Sequence, residues 1–115
     1  MSTAANVYSF GVVLLEIFIR KRPTDHMFKD ELSIVGFTEM NFPDRVLEIV
    51  DSQLLQELIL GQDTQTAINE KVVQCLTSVL TIGLHCTKTS PSERISMQEV
   101  AAKLHGIKDA YLRGN

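Results

Sequence analysis

The sequence predicts an all-α protein, and three observations support this fold class. Residues 7–19 form an apolar segment of thirteen residues, and apolar residues recur at helical spacing between positions 72 and 83. Ser96 and Glu99 have the spacing of a capping box, which opens a helix. In 115 residues these elements have room for a single domain with one modest core.

The first predicted helix, residues 7–19, is apolar on nearly every side, so its periodicity does not separate helix from strand. Its length exceeds that of most buried strands, Asn6 is a good N-cap residue, and Pro23 prevents continuation. The segment is well short of the roughly 20 apolar residues that span a bilayer. We therefore expect a helix that other parts of the protein surround, followed by a polar loop over residues 21–30.

The middle of the chain gives weaker signals. A short helix is predicted over residues 31–40, which Pro43 closes. By periodicity alone, residues 46–51 are a helical turn or a short strand, and we favour the helix. Residues 56–67 lose the apolar pattern, so a variable surface loop is predicted there.

Two strong helices are predicted in the last third of the chain, over residues 69–87 and from residue 97 onward. Two capping boxes precede the second of them, one from Ser90 to Glu93 and one from Ser96 to Glu99. The last helix has one apolar face, formed by Met97, Val100, Ala101, Leu104, Ile107 and Tyr111.

Charge and cysteine usage exclude some partners and compartments. The chain has 11 Lys and Arg against 14 Asp and Glu, a net charge of -3, which argues against nucleic acid as a partner. Cys75 and Cys86 are separated by about 16 Å along one predicted helix, so they cannot form a disulfide with each other. With no targeting signal at either end, the expected location is cytoplasmic.

Few groups of residues in the sequence have the types and spacing that catalysis or metal binding requires. Ser9 lies in a string similar to a nucleophile elbow, but the first glycine and the preceding strand are missing. His26, His85 and His105 lack the spacing of zinc ligands, and the isolated glycines form no phosphate-binding loop. We therefore predict no catalytic, cofactor-binding or metal-binding residue in this chain.

Several strings nevertheless resemble one family, in its order and spacing. They are N-V-Y-S-F-G-V-V-L-L-E at 6–16, K-R-P-T-D at 21–25, F-P-D-R-V-L-E-I-V-D at 42–51, C-L-T-S-V-L-T-I-G-L-H-C at 75–86, S-P-S-E-R at 90–94 and M-Q-E-V at 97–100. These strings are similar to those of plant receptor-like serine/threonine protein kinases, closest to leucine-rich-repeat receptor kinases of the immune type.

The resemblance covers residues 1–115 and implies a partial protein kinase domain. The implied fold is the lower helical half of a kinase C-lobe, helices F to I, and thus an incomplete kinase fold. A full-length parent would use ATP and magnesium, and would lie at the plasma membrane with its kinase domain facing the cytosol. The 115 residues contain no glycine-rich ATP loop, H-R-D, D-F-G or A-P-E motif, so we expect this chain alone to be inactive.

Two positions carry over from the family as structural residues. Asn6 stands where the family has an aspartate that accepts hydrogen bonds from the catalytic loop; here we expect it to cap its own helix. Arg94 matches the arginine that pairs with the glutamate of A-P-E. A buried arginine without a partner is costly, so we expect Arg94 to turn into solvent or to find another acid.

Three hypotheses about function remain open from the sequence. The first is a product of a receptor serine/threonine kinase that keeps the helical scaffold without an active site. The alternative is a non-catalytic interaction module or kinase decoy, which binds another protein through an exposed helical surface because so short a chain cannot fully cover residues 7–19. The third is an unrelated small helical regulator. No nucleic acid and no membrane span are expected.

Overall fold

In a computed structural model, the described residues are 3–19, 31–60 and 65–113. The regular elements in these ranges are helices: α1 (Ala4–Ile19), α2 (Glu31–Asn41), α3 (Val46–Ile49), α4 (Ser52–Leu60), α5 (Gln65–Cys86) and α6 (Met97–Leu112), with a 3-10 turn at Pro91–Glu93 before α6. The prediction of an all-α fold is confirmed. The predicted loop over residues 21–30 lies outside the described residues.

The helices α1 and α5 form the centre of the fold. They make the most extensive helix pair, α6 packs on α5, and α2 packs on α1. Leu15 of α1 and Leu76 and Leu80 of α5 are completely buried between them. The apolar segment predicted from the sequence forms α1 and contributes Val12, Leu15 and Ile19 to this core.

Glycines set the distance between α1 and α5. A Cβ atom added at Gly11 would lie 2.6 Å from Cβ of Cys86, and one added at Gly83 would lie 2.7 Å from Cδ2 of Leu15. Both distances are shorter than real carbon contacts allow. The two backbones therefore approach each other more closely than any larger residue at these positions would permit.

The prediction that Asn6 caps the first helix is wrong. The helix begins at Ala4, and the Oγ1 atom of Thr3 accepts a hydrogen bond from the backbone N–H of Asn6 at 3.2 Å. Thr3 is itself a good N-cap residue, and the two alanines that follow it favour helix, so the helix extends one turn further back than predicted. Asn6 lies exposed in the first turn.

The prediction of a loop over residues 56–67 is wrong for residues 56–60, which belong to α4, and for residues 65–67, which open α5. Residues 61–64 lie outside the described part of the chain. The Oδ2 atom of Asp51 accepts a hydrogen bond from the backbone N–H of Leu54 at 2.9 Å, which caps α4. Four apolar side chains of α4 then pack against the core: Leu54, Leu55, Leu58 and Ile59.

Other elements agree with the predictions to within a few residues. The predicted helix over 31–40 is α2, the favoured helical turn is α3, and the predicted helix over 69–87 is α5. On α6, Val100 is buried and its apolar neighbours are half-buried, but Ala101 is exposed, so the predicted apolar face is narrower than expected.

Only one of the two predicted capping boxes forms. At the start of α6, the N–H of Glu99 donates to Oγ of Ser96 at 3.1 Å, and the N–H of Ser96 donates to the Glu99 carboxylate at 3.3 Å. Ser90 makes no such side-chain cap, because its Oγ pairs with Oγ of Ser92 at 3.1 Å and the segment forms a 3-10 turn.

The capping box gives a testable prediction about stability. We expect Ser96→Ala to lower the free energy of unfolding by about 1 kcal/mol, because it leaves the N–H of Glu99 without its partner. Ser90→Ala is the matched control, with an expected change within about 0.5 kcal/mol. Urea unfolding followed by circular dichroism measures both variants, and equal losses would contradict the assignment of Ser96 as the cap.

The two cysteines are free, as predicted. Cys86 is completely buried in the core, and Cys75 is half-buried on α5. Burial raises the pKa of both thiols above its ordinary value. Among the helices within the described ranges, none is long and apolar enough to cross a bilayer.

Candidate functional site

Arg94, the family arginine, joins the connection between α5 and α6 to the start of α1. Its Nε donates to the carbonyl oxygen of Lys88 at 2.8 Å, and its two terminal nitrogens donate to the carbonyls of Ala4 at 3.0 Å and Thr89 at 3.4 Å. The bond to Ala4 links residues 90 positions apart. Arg94 therefore holds the first turn of α1 against the end of α5.

The guanidinium of Arg94 also lies over an aromatic ring. Its Cζ is 4.8 Å from the centre of the Tyr8 ring, within the range of a cation–π interaction. The expectation that Arg94 would turn into solvent or find another acid is therefore wrong. Three carbonyl oxygens and the ring face supply partial negative charge, so the half-buried cation needs no carboxylate.

The two residues carried over from the family lie at the same end of the fold. Arg94 bonds to the carbonyl of Ala4, two residues before Asn6. The side chain of Asn6 is exposed, and the backbone N–H of Asn6 donates to Oγ1 of Thr3. Arg94 is thus integrated into the fold, whereas Asn6 presents an amide at the surface.

A hollow of about 540 Å³ opens beside this cluster. Its lining includes six residues with polar side chains: Tyr8, Ser9, Glu39, Thr87, Thr89 and Arg94. It combines one cation, one carboxylate and hydroxyl groups, and its lining includes no histidine to act as a general base for Ser9. These side chains offer both donors and acceptors of hydrogen bonds.

The described residues leave one face of α1 uncovered. Val13 is 49% exposed and Ile17 is 56% exposed, although the opposite face of the same helix is completely buried. With Leu54 of α4 they line a shallow hollow of about 380 Å³, bordered by Glu16 and Glu57. The expectation that α1 has neighbours on every side is therefore not met by the described residues.

The described residues do not fit an ATP and magnesium site. Gly11 and Gly83 lie in the contact between α1 and α5, so neither is accessible to a phosphate group. Within 3–19, 31–60 and 65–113, no group of three His, Cys, Asp or Glu side chains could hold a metal ion. No step through a nucleotide can be assigned to these residues.

The Arg94 cluster gives a second prediction. We expect Arg94→Ala to lower the free energy of unfolding by about 1–2 kcal/mol, since it removes three hydrogen bonds and the contact with Tyr8. Arg94→Lys should recover only part of this loss, because an ammonium group cannot reach three diverging carbonyls. Thermal unfolding measures the effect, and exposed Arg113, changed to Ala, is the control. Equal stabilities of the Arg94 and Arg113 variants would contradict an anchoring role.

Comparison with known proteins gives relatives over nearly the whole chain, although no protein-family model matches it. A protein of Arabidopsis thaliana named as a receptor-like protein kinase is 41% identical over 113 residues, which cover 97% of this chain and 10% of the relative. A second, named as an LRR receptor-like serine/threonine-protein kinase of the same species, is 34% identical over 99% of this chain and 11% of its own length. Receptor kinase-like protein Xa21 of Oryza sativa subsp. japonica is 32% identical over 93% of this chain and 10% of its own length.

These relatives are protein kinases by name, and the described helices agree with the all-helical lower part of a kinase C-lobe. Over nearly its whole length, the chain is homologous to one segment of the plant leucine-rich-repeat receptor-like serine/threonine protein kinases. It spans about a tenth of the length of the curated relatives it matches.

The sequence pointed to Arg94 through the family string, but it did not identify the partners of Arg94. Tyr8 and the Ala4 carbonyl come from the other end of the chain, and nothing in the spacing of the residues relates them to Arg94. Gly11 and Gly83 were also missed as contact residues. The available signal was a glycine inside each of two helices, Gly11 in the middle of α1 and Gly83 in the last turn of α5.

Proposed function

We propose that this chain forms the helical base of the catalytic domain of a receptor-like serine/threonine kinase. In such a kinase, ATP and magnesium support phosphoryl transfer to serine or threonine of a protein. The ATP loop and the H-R-D, D-F-G and A-P-E segments would come from a polypeptide outside these 115 residues. The observation that carries the proposal is the uncovered face of α1, where Val13 and Ile17 expose apolar surface on the helix that otherwise forms the core.

The Arg94 cluster supports the same proposal. The hollow beside the guanidinium is lined by hydroxyl groups of Ser9 and Thr89 and by the carboxylate of Glu39. A glutamate from an A-P-E segment could approach Arg94 there and gain a charge-assisted hydrogen bond in place of the weaker carbonyl contacts. The base would in this way bind the end of the activation segment at one site and apolar parts of the domain at another.

Phosphoryl transfer depends on positioning and on electrostatic stabilisation by the missing segments. We therefore propose that this chain alone transfers no phosphate. As the base of a receptor kinase domain, it would act on the cytosolic side of the plasma membrane. Incubation with ATP, magnesium and a general protein substrate tests the first point, and transfer above background would overturn it.

Reconstitution tests the proposal directly. The kinase-domain segment of an Arabidopsis relative that carries the four missing motifs is expressed as a separate polypeptide and mixed with this chain. Neither part alone should transfer phosphate from ATP to a general substrate, and the mixture should do so. Failure of the mixture, with both parts folded by circular dichroism, would contradict the proposal.

A matched pair of variants locates the contact. Ile17→Asp should lower the reconstituted rate at least tenfold, because a carboxylate would then face the apolar surface of the partner. Met40→Asp is the control, since Met40 is 86% exposed on α2 and does not line the hollow beside Val13 and Ile17. Equal rates for the two variants would show that the face of α1 is not the docking surface.

A kinase decoy is the second candidate, and the same uncovered face of α1 favours it. In that case the chain would compete with the equivalent part of a complete kinase for its partners. Titration of the chain into an active full-length kinase domain distinguishes the two. A dose-dependent loss of activity that Ile17→Asp abolishes supports the decoy, and unchanged activity over the titration contradicts it.

A further inference from the structure

A separate cavity of about 500 Å³ lies between α5 and α6, and its lining shares no residue with the hollow beside Val13 and Ile17. Its volume falls in the range of small-molecule sites. The chain reverses direction between the two helices, and Lys71 near the start of α5 lies 5.1 Å from the ring of Tyr111 near the end of α6. His85, near the end of α5, and Lys103, in the first half of α6, therefore lie toward the opposite end of the cavity.

The charge of this cavity contrasts with that of the chain. Its lining contains Lys71, His85 and Lys103 but no aspartate or glutamate, whereas the whole chain has a net charge of -3. Asp109, the acid of α6 closest in sequence to the lining, lies 3.4 Å from His105 on the helix surface. The cavity is thus a local positive region on an acidic protein, and such a region favours an anionic ligand.

The two ends of the cavity are not equivalent. At one end the ammonium of Lys71 is engaged by the ring of Tyr111, and the Tyr111 hydroxyl donates to the carbonyl of Leu58 at 3.1 Å. At the other end Lys103 is exposed and His85 is half-buried. Lys103 and His85 are therefore the cationic and polar groups that are available to an incoming anion.

Between the ends, the cavity has an apolar floor. Ile82 is almost completely buried, and Ile107 is half-buried beside it. Gly106 adds open space, because a Cβ atom built at this position meets no atom within 4 Å. A flat or narrow apolar body can lie over these residues toward Cys75.

We propose that the cavity between α5 and α6 binds a small amphipathic anion, with its charged head group at Lys103 and His85 and its apolar body over Ile82, Gly106 and Ile107. The head group is a carboxylate or a phosphate monoester, since both offer oxygen acceptors to an ammonium and an imidazole. Binding would occur in a part of the fold that is separate from the proposed docking face and from Arg94.

The test uses the 115-residue chain and naphthalene probes that differ only in charge. 2-Naphthoate and 2-naphthyl phosphate should bind with dissociation constants of about 0.1–1 mM in NMR or calorimetric titrations. The cationic 2-naphthylmethylammonium should bind at least tenfold more weakly. Saturable binding of neither anion in the millimolar range, or equal binding of the cation, would overturn the proposal. A stronger response to one of the two anions identifies the head group.

Variants locate the site. Lys103→Gln should weaken 2-naphthoate binding about fivefold to tenfold, and Gly106→Leu should abolish it by filling the space above the floor. Lys108→Gln, on the exposed surface of α6, should leave binding unchanged. Circular dichroism confirms that each variant remains helical. Unchanged binding to both Lys103→Gln and Gly106→Leu would show that the anion binds elsewhere.

Thiol protection gives an independent readout. Cys75 lines the cavity, whereas Cys86 is completely buried in the core and serves as an internal control. Bound 2-naphthoate should slow the reaction of Cys75 with a maleimide in proportion to occupancy, without any change at Cys86. A rate at Cys75 that is independent of 2-naphthoate at saturating concentration would contradict binding in this cavity.

Discussion

Replacing Gly11 with alanine is expected to lower the free energy of unfolding by about 2–3 kcal/mol. The added methyl group would lie 2.6 Å from Cβ of Cys86, 2.8 Å from Cγ2 of Thr87 and 3.0 Å from the backbone oxygen of Gly83. One of these atoms is backbone and another is a Cβ atom, so neither can turn away as the end of a flexible side chain could. The two central helices must therefore separate, and contacts along the whole interface weaken.

The control for this prediction is the same substitution at Gly36. A Cβ atom at Gly36, inside α2, meets nothing within 4 Å. Gly36→Ala should therefore raise stability by about 0.5–1 kcal/mol, because alanine favours helix over glycine. Urea unfolding of both variants gives the comparison. If Gly11→Ala were as stable as Gly36→Ala, the close approach of α1 and α5 would be disproved.

Truncation of Leu15 should have an effect of similar or larger size. Leu15 is completely buried between α1 and α5, so Leu15→Ala should lower the free energy of unfolding by about 3 kcal/mol, from lost burial and from the cavity that remains. Val13→Ala, on the exposed face of the same helix, should cost less than about 1 kcal/mol. Similar losses for the two variants would contradict the assigned orientation of α1.

A double variant of Leu15 and Gly83 tests directly whether these two residues are in contact. Gly83→Ala alone should be destabilising, because its methyl group would lie 2.7 Å from Cδ2 and 3.1 Å from Cγ of Leu15. In the double variant, the methyl group enters the space that Leu15→Ala leaves empty. We expect the double variant to be more stable than the sum of the two single effects by at least about 1 kcal/mol. Strict additivity would show that Leu15 and Gly83 are not in contact.

These two predictions bear on the proposed function. The crossing of α1 and α5 at Gly11 sets where α1 presents Val13 and Ile17 to a partner. It also sets where the first turn of α1 meets Arg94. A variant that separates the helices should therefore lower reconstituted kinase activity even though it changes no residue of the docking surface.

Much of the local structure could be predicted because its causes are local. The capping box of Ser96 and Glu99 joins residues three apart, and the apolar spacing of α5 and α6 repeats within each helix. Two predictions about local structure were wrong because a nearby residue formed a helix cap that was not expected. Thr3 replaced Asn6 as the cap of α1, and Asp51 capped a helix in a segment that was predicted to be a loop.

The family strings led to the family, and the relatives confirm it, but the strings carried no information about geometry. They pointed to Arg94 but not to the groups that bind it. Because a buried charge without a partner is costly, Arg94 was expected to turn into solvent or to pair with an acid. The structure shows carbonyl oxygens and the Tyr8 ring instead. A count of charged residues does not predict neutral acceptors that come from residues far away in the chain.

Fold class, family and most helix bounds followed from the amino-acid order, since they depend on interactions within a few residues. The helix pairing through Gly11 and Gly83, the environment of Arg94, the uncovered strip at Val13 and Ile17 and the cationic cavity between α5 and α6 became visible in the packed fold. Each of these features joins residues that are far apart in the chain. Their positions depend on how whole helices pack, and packing depends on the shape and volume of many side chains together.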